Sequence, residues 1–153
     1  ITEWSVSEAF PESRLDSLQS LDEAWTRGLT WDRLGTAVRG IADLATLRSP
    51  SDGNTAFTAI TLRTATPRAV RLRFGFSDRV HVYLNGRPLF RAADGWRSRD
   101  YRFLGTIGLH DELVLPLQAG DNTLWFAVSE SFGGWGVTAR LLDAEGLEIL
   151  PRP

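Results

Sequence analysis

The stretch that decides the fold runs from Val70 to Asp100 and opens Val70-Arg-Leu-Arg-Phe-Gly-Phe76, Ser77-Asp-Arg79, Val80-His-Val-Tyr-Leu84. Two runs of period-two alternation flank a polar bend, the signature of two adjacent strands that are apolar on one face. Asn85-Gly86 follows, and this dipeptide accepts the positive φ angles of a type I′ hairpin, so Arg87-Pro-Leu-Phe-Arg91 returns antiparallel to the second run. Beyond it, Ala92-Ala-Asp-Gly-Trp-Arg-Ser-Arg-Asp100 is polar and aromatic and does not read as core. A scaffold and a candidate site therefore lie side by side.

Working outward, Thr55 to Thr64 is rich in threonine, with Phe57, Ile60 and Leu62, and reads as a strand. Leu113 to Leu117 is another, and its Pro116 suggests a sheet edge or a strand end. Thr123-Leu-Trp-Phe-Ala-Val128 is apolar enough for burial on both faces, while Trp135 to Leu141 alternates again and Leu147 to Leu150 closes the chain. Towards the N-terminus, residues 2–10 form a strand ended by Pro11. Leu15, Leu18, Leu21 and Trp25 fall at helical spacing, and Ser20 with Glu23 has the spacing of a capping box. Trp31 to Leu34 reads as a short strand, and residues 40–48 satisfy neither period. About eight short strands with turns roughly every ten residues imply an all-β jelly-roll sandwich with a short helical segment near the N-terminus.

Composition narrows the function. The 153 residues fit a single domain, and 42% hydrophobic with 24% charged residues is ordinary for a soluble globular protein without a membrane span. Cysteine is absent, which excludes disulfides and thiol chemistry. Methionine is absent too, so the expectation is a processed protein or a domain from a longer one. A net charge of −2 argues against a nucleic-acid partner. The basic residues are all arginine, and Arg63, Arg71 and Arg73 should form a row on a solvated sheet face with acids opposite, or a docking surface for another domain.

Phe74-Gly-Phe-Ser-Asp-Arg-Val80, Val82-Tyr-Leu-Asn-Gly86, Leu115-Pro-Leu-Gln-Ala-Gly-Asp-Asn-Thr-Leu124 and Gly133-Gly-Trp-Gly136 together resemble the galactose-binding-like β-sandwich. That superfamily includes accessory domains of carbohydrate-active proteins. The resemblance spans roughly residues 55–150 and implies a noncatalytic module attached to a larger protein, with a lean towards a secreted or periplasmic one. It also implies that calcium is worth weighing, with Ser51-Asp-Gly-Asn54 as oxygen ligands; an ordinary Asp-Gly turn without an ion is the simpler reading, and no cofactor is expected.

A pyranose offers a CH face to aromatic rings and paired hydroxyls to arginine and carboxylate groups. Asp94, Trp96, Arg97, Arg99, Asp100 and Tyr101 supply that chemistry in one loop, and Glu130, Phe132 and Trp135 supply it in a second. Trp135, set among Gly133, Gly134 and Gly136, is either part of this surface or packed on a neighbouring strand. Trp4, Trp25, Trp31 and Trp125 read as core or as cover over it. For catalysis, the histidines are His81, on an outward strand face, and His110, before Asp111 and Glu112. Those two acids alternate faces if they share a strand, which works against a metal site. Asp94, Asp100 and Glu130 would have to converge for glycoside hydrolysis. The expectation is a carbohydrate or other small polar ligand bound without catalysis. The competing expectation is a structural domain that packs on a neighbouring catalytic or lectin-like domain and binds no ligand.

Overall fold

The computed structural model describes residues 1–16, 18–95 and 106–152. The described residues form β1 (Glu3–Ser7), β2 (Trp31–Gly35), β3 (Ile41–Asp43), β4 (Thr55–Thr64), β5 (Arg68–Ser77), β6 (Arg79–Leu84), β7 (Arg87–Ala93), β8 (Asp111–Leu117), β9 (Gly120–Ser129), β10 (Gly136–Leu141) and β11 (Glu148–Pro151). A single-turn helix, α1 (Glu23–Thr26), and short 3-10 turns at Glu12–Leu15, Val38–Gly40 and Leu44–Thr46 complete them. Eleven strands thus stand where about eight were expected, and β3, in the stretch that satisfied neither period, is the shortest at three residues.

The larger sheet has the order β2-β1-β4-β9-β6-β7, with β11 sharing the β1 side of β4 further along that strand. The smaller sheet has the order β3-β10-β5-β8. From β4 onward the chain changes sheet at every connection except the β6-β7 hairpin, which gives a jelly-roll-like sandwich. Asn85 and Gly86 take φ angles of 51° and 78° in that hairpin, as the dipeptide predicts. The expectation that the runs on either side of Ser77-Asp78 are adjacent strands needs correction: β5 and β6 lie in opposite sheets. Alternation shows which face of a strand is apolar, but two apolar faces can belong to one sheet or look at each other across a core.

Between the sheets, the inward residues Ile60, Leu62, Val70, Leu72, Phe74, Val82, Phe126 and Val137 are fully buried. Edge-to-face contacts link Trp4 to Phe126 and Phe74 to Phe126, each with ring centroids 5.5 Å apart. Each large side chain buried here contributes roughly 1.5–3 kcal/mol relative to leaving it exposed.

A second apolar cluster lies on the outer face of the larger sheet. Phe57, Tyr83, Trp125 and Ala127 point outward from β4, β6 and β9, and Phe10, Leu15, Leu21 and Leu29 of the N-terminal segment cover them. Phe57 contacts Phe10 at 5.1 Å and Trp25 at 5.2 Å, and Trp125 contacts Trp31 at 5.5 Å. This cover explains why β4 and β9 are apolar on both faces. The start of α1 is held by Asp22, whose Oδ1 accepts from the Trp25 N–H at 2.8 Å, so the cap sits two residues beyond the expected Ser20.

The expected single arginine row needs correction: Arg63 lies on β4 of the larger sheet and Arg71 and Arg73 on β5 of the smaller one, because alternation does not say which sheet a strand joins, but each is solvated with acids beside it. Arg63 pairs with its cross-strand neighbours Asp121 and Glu148, and Arg73 pairs with its neighbour Glu112. Arg71 pairs with Asp143. Solvent and salt screen pairs this exposed, so they add little to stability.

Candidate functional site

Register brings the strand ends from which both candidate loops depart to one end of the sandwich. Arg79, at the start of β6, is paired with Ala93 at the end of β7 and with Ser129 at the end of β9, while Ser129 is also opposite Thr55 at the start of β4. The segments after β7 and after β9 therefore leave the fold as neighbours. Trp96, Arg97, Arg99, Asp100 and Tyr101 lie outside the described residues. Asp94 is buried, and its N–H donates to the Asp78 carbonyl at 2.6 Å, which ties the root of the first loop to the β5-β6 crossover.

Asp78 is the centre of this end, and the sequence reading passed over it. The side chain is only 6% exposed. Its Oδ2 accepts from the Ser131 N–H at 2.7 Å, the Ser131 hydroxyl at 2.9 Å and the Phe132 N–H at 2.6 Å. Its Oδ1 accepts from the Ser77 hydroxyl at 2.8 Å. One buried carboxylate thus holds the backbone of the second loop through charge-assisted bonds. The consequence is an 86% exposed Phe132 ring mounted on a fixed backbone. The only hint in the sequence was an acid at a strand-to-strand bend, which is more often solvated.

Glu130 sits next to this ring. Its N–H donates to the Asn54 carbonyl at 2.7 Å and its own carbonyl accepts from Asn54 Nδ2 at 3.2 Å. One buried carboxylate oxygen, Oε2, has no hydrogen-bond partner among the described residues. Burial, reinforced by the negative charge of Asp78, raises the Glu130 pKa above the ordinary value, and the N–H groups of Gly134 and Gly133 oppose the rise. Arg79 bridges the N-terminal segment and the second loop: its guanidinium donates to both carboxylate oxygens of Glu12, at 2.7 and 2.5 Å, and to the Ser131 hydroxyl at 2.9 Å. That hydrogen bonding, more than simple charge proximity, lowers the Glu12 pKa.

Trp135 is placed differently from Phe132. It is 2% exposed within the inter-sheet core, and its indole N–H donates to the Val128 carbonyl at 2.9 Å. Of the two aromatic residues expected in the second loop, Phe132 alone faces outward, because Gly136 starts β10 and draws the residue before it into the sandwich.

The remaining candidates separate. His81 lies on the outer face of the larger sheet, opposite Arg91, in a groove with Asp16, Tyr83 and Phe90. Burial, followed by the charge of Arg91, lowers its pKa. Asp111 and Glu112 are successive residues of β8 and project to opposite faces, and Glu112 is paired with Arg73. The oxygens weighed for calcium are engaged by the protein in part: Asn54 Oδ1 accepts from the Glu12 N–H at 2.9 Å, and Ser51 bonds Ser49 at 2.8 Å. Among the described residues no three His, Asp or Glu side chains gather as a metal site, and no helix is long and apolar enough to cross a membrane.

No protein-family model and no curated protein sequence matches the chain. Solved structures do resemble it. A β-glucosidase from Kluyveromyces marxianus aligns over 92% of this chain and 16% of its own, with 13% identity and a TM-score of 0.50. A family 35 carbohydrate binding module from an environmental isolate aligns over 65% of this chain and 74% of its own, with 16% identity and a TM-score of 0.45. The PA14 domain of the antifreeze protein MpAFP aligns over 97% and 86%, with 12% identity and a TM-score of 0.46. At these identities a likeness speaks for the fold only, and the first of the three reaches the level at which a shared β-sandwich follows.

Proposed function

We propose that this chain is a noncatalytic carbohydrate-binding module of the galactose-binding-like kind, and that it binds through the loop end of the sandwich. The observation that carries the proposal is Phe132, an 86% exposed ring whose backbone N–H and that of its neighbour are held by a buried carboxylate. An exposed aromatic residue on a fixed backbone loses little entropy when a sugar CH face settles on it. Glu130, half-buried two residues before that ring, can offer the part of its carboxylate other than the buried Oε2 as the adjacent acceptor for a hydroxyl. In this proposal Trp96, Arg97, Arg99, Asp100 and Tyr101 contribute to the same binding site, with the buried Asp94 at the root of their loop. Noncatalytic action accords with the placement of His81 on another face and with Asp78 fully occupied by hydrogen bonds.

The test is a glycan-array screen followed by titration of Phe132→Ala and Glu130→Gln. Either substitution should weaken binding about tenfold, equivalent to about 1.4 kcal/mol. Both sites are loop positions, so thermal unfolding should stay close to that of the parent chain. A screen without any bound glycan, or full affinity in both variants, would sink the proposal.

One observation favours the alternative of a packing domain. The aligned part of the Kluyveromyces marxianus enzyme is 16% of that chain, so the related fold occurs there as one unit of a much longer protein. If this chain served only to pack on a neighbour, Phe132 would be protected from solvent in the parent assembly and no glycan would compete for it.

A further inference from the structure

At the end of the sandwich remote from Phe132, the inter-sheet core reaches a recess of about 760 Å³ lined by residues of both sheets. Leu84 at the end of β6 and Leu117 at the end of β8 form its floor; they belong to the core and are 4% and 3% exposed. Leu89 of β7 packs against the same core and extends the apolar surface. The charge in the lining is of one sign. Arg68 and Arg87 take part and no Asp or Glu does, although the whole chain carries a net charge of −2. Arg68 is fixed by backbone, donating to the Glu145 carbonyl at 2.5 Å and the Asp143 carbonyl at 2.9 Å. The Asp143 carboxylate, which also feels the charge of Arg68, is bonded to Arg71 at 3.0 Å. Arg87 is exposed and makes no ion pair with a described residue. Asn85 and Gln118, also in the lining, are held by the fully buried Asn122, whose Oδ1 accepts from Asn85 Nδ2 at 3.0 Å and from the Gln118 N–H at 2.9 Å.

We infer that this recess binds a small organic monocarboxylate, its charged group taken by Arg87 and its hydrocarbon body resting on the leucine floor. A guanidinium matches a carboxylate through two parallel N–H bonds, and Arg68 adds to the positive potential in which that pair forms. The apolar floor gains from covering by a hydrocarbon. Other ligands satisfy one half of the site at most. An inorganic anion leaves the leucines in water, a neutral hydrocarbon gains nothing from the guanidiniums, and a cation meets two like charges. An added peptide strand is disfavoured by the edges themselves: β7 carries Pro88 and β8 carries Pro116, both are edge strands, and a prolyl nitrogen cannot donate to a ladder. The volume falls within the roughly 300–1,000 Å³ typical of small-molecule pockets.

The experiment follows the methyl resonances of Leu84, Leu89 and Leu117 while the chain is titrated with hexanoate, and with inorganic phosphate, hexanol and hexylammonium as separate arms. Hexanoate should shift them saturably with a Kd of about 1–10 mM, and added salt should weaken that Kd by screening the guanidiniums. Phosphate and hexanol should each bind at least about tenfold more weakly, and hexylammonium should not bind. Arg87→Ala should weaken hexanoate about tenfold and leave the thermal unfolding midpoint unchanged, since Arg87 is tied to no other part of the fold. Phe132→Ala should bind hexanoate as the parent chain does, so this site and the loop-end surface stand or fall separately. No saturable shift with hexanoate, or parent affinity in Arg87→Ala, would overturn the site. Hexanol binding as tightly as hexanoate would reduce it to an apolar cleft, and phosphate doing so would reduce it to an anion site without a hydrocarbon requirement; either result also overturns the inference.

Discussion

Replacing Asp78 tests how the exposed ring is held. The carboxylate is 6% exposed and accepts four hydrogen bonds, from Ser131 N–H, Ser131 hydroxyl, Phe132 N–H and Ser77 hydroxyl. A bond to a charged group contributes about 1.5–3 kcal/mol, but the four are not additive, because they share one acceptor group and because Ser131 and Phe132 are exposed enough to regain water. Asp78→Ala should therefore cost about 3–4 kcal/mol, less than the simple sum, and Asp78→Asn, which keeps one acceptor oxygen and loses the charge, about 1–2 kcal/mol. Urea unfolding measures both, and an unchanged m value would show that the loss lies in the native state. Hydrogen exchange adds the local readout. The Ser131 and Phe132 amides should be protected in the parent chain and exchange far faster in Asp78→Ala, while the Phe126 amide in the core should change only as global stability does. A cost below about 1 kcal/mol for Asp78→Ala, or unprotected Ser131 and Phe132 amides in the parent chain, would refute the claim that this carboxylate fixes the loop.

Other positions give independent checks. A Cβ added at Gly75 would lie 1.6 Å from the Gly108 carbonyl oxygen, where the backbone of Gly108 packs against β5; Gly75→Ala should destabilise by about 3 kcal/mol or more in a denaturant melt, at the upper end of overpacking costs. Gly28 has nothing within 4 Å and no positive φ, so Gly28→Ala should be neutral or stabilise by up to about 1 kcal/mol. Asn122, fully buried, accepts from Asn85 Nδ2 and Gln118 N–H and donates to the carbonyls of Gln118, Gly120 and Leu62; Asn122→Ala should cost about 2–4 kcal/mol by the same melt. His81 keeps its proton less readily in the fold than its ordinary value of about 6.5, through burial first and Arg91 second, with Glu12 and Asp16 opposing. The unfolded chain protonates first as pH falls, so this group's contribution is complete above the unfolded value and is lost as pH drops through the folded one. His81→Gln should flatten the stability profile between pH values of about 7 and 5, measured as the difference between the two chains' urea midpoints; parallel profiles would contradict the burial of His81.

The strands were legible wherever one physical cause acted alone. Thr55 to Thr64 and Val80 to Leu84 show their period, Asn85-Gly86 its turn, and Pro116 its place on the edge strand β8. Residues 40–48 were illegible because they hold a three-residue strand beside two short 3-10 turns, too brief for any period to emerge. At the candidate site, Glu130 and Phe132 were visible as residue types suited to sugar contact. Asp78 was not, since its worth rests on donors more than fifty positions away in Ser131 and Phe132.

By itself the sequence determined the all-β class, the apolar face of each long strand and the one tight hairpin, because these follow from local sterics and from burial along a single segment. Only the tertiary structure decided that β5 and β6 face each other across the core, that the N-terminal segment covers the outer face of the larger sheet, and that Trp135 turns inward while Phe132 stays in solvent. The physical reason is common to all three. Alternation records that a side chain is buried, whereas the partner that buries it comes from another part of the chain and is fixed only when the sheets pack.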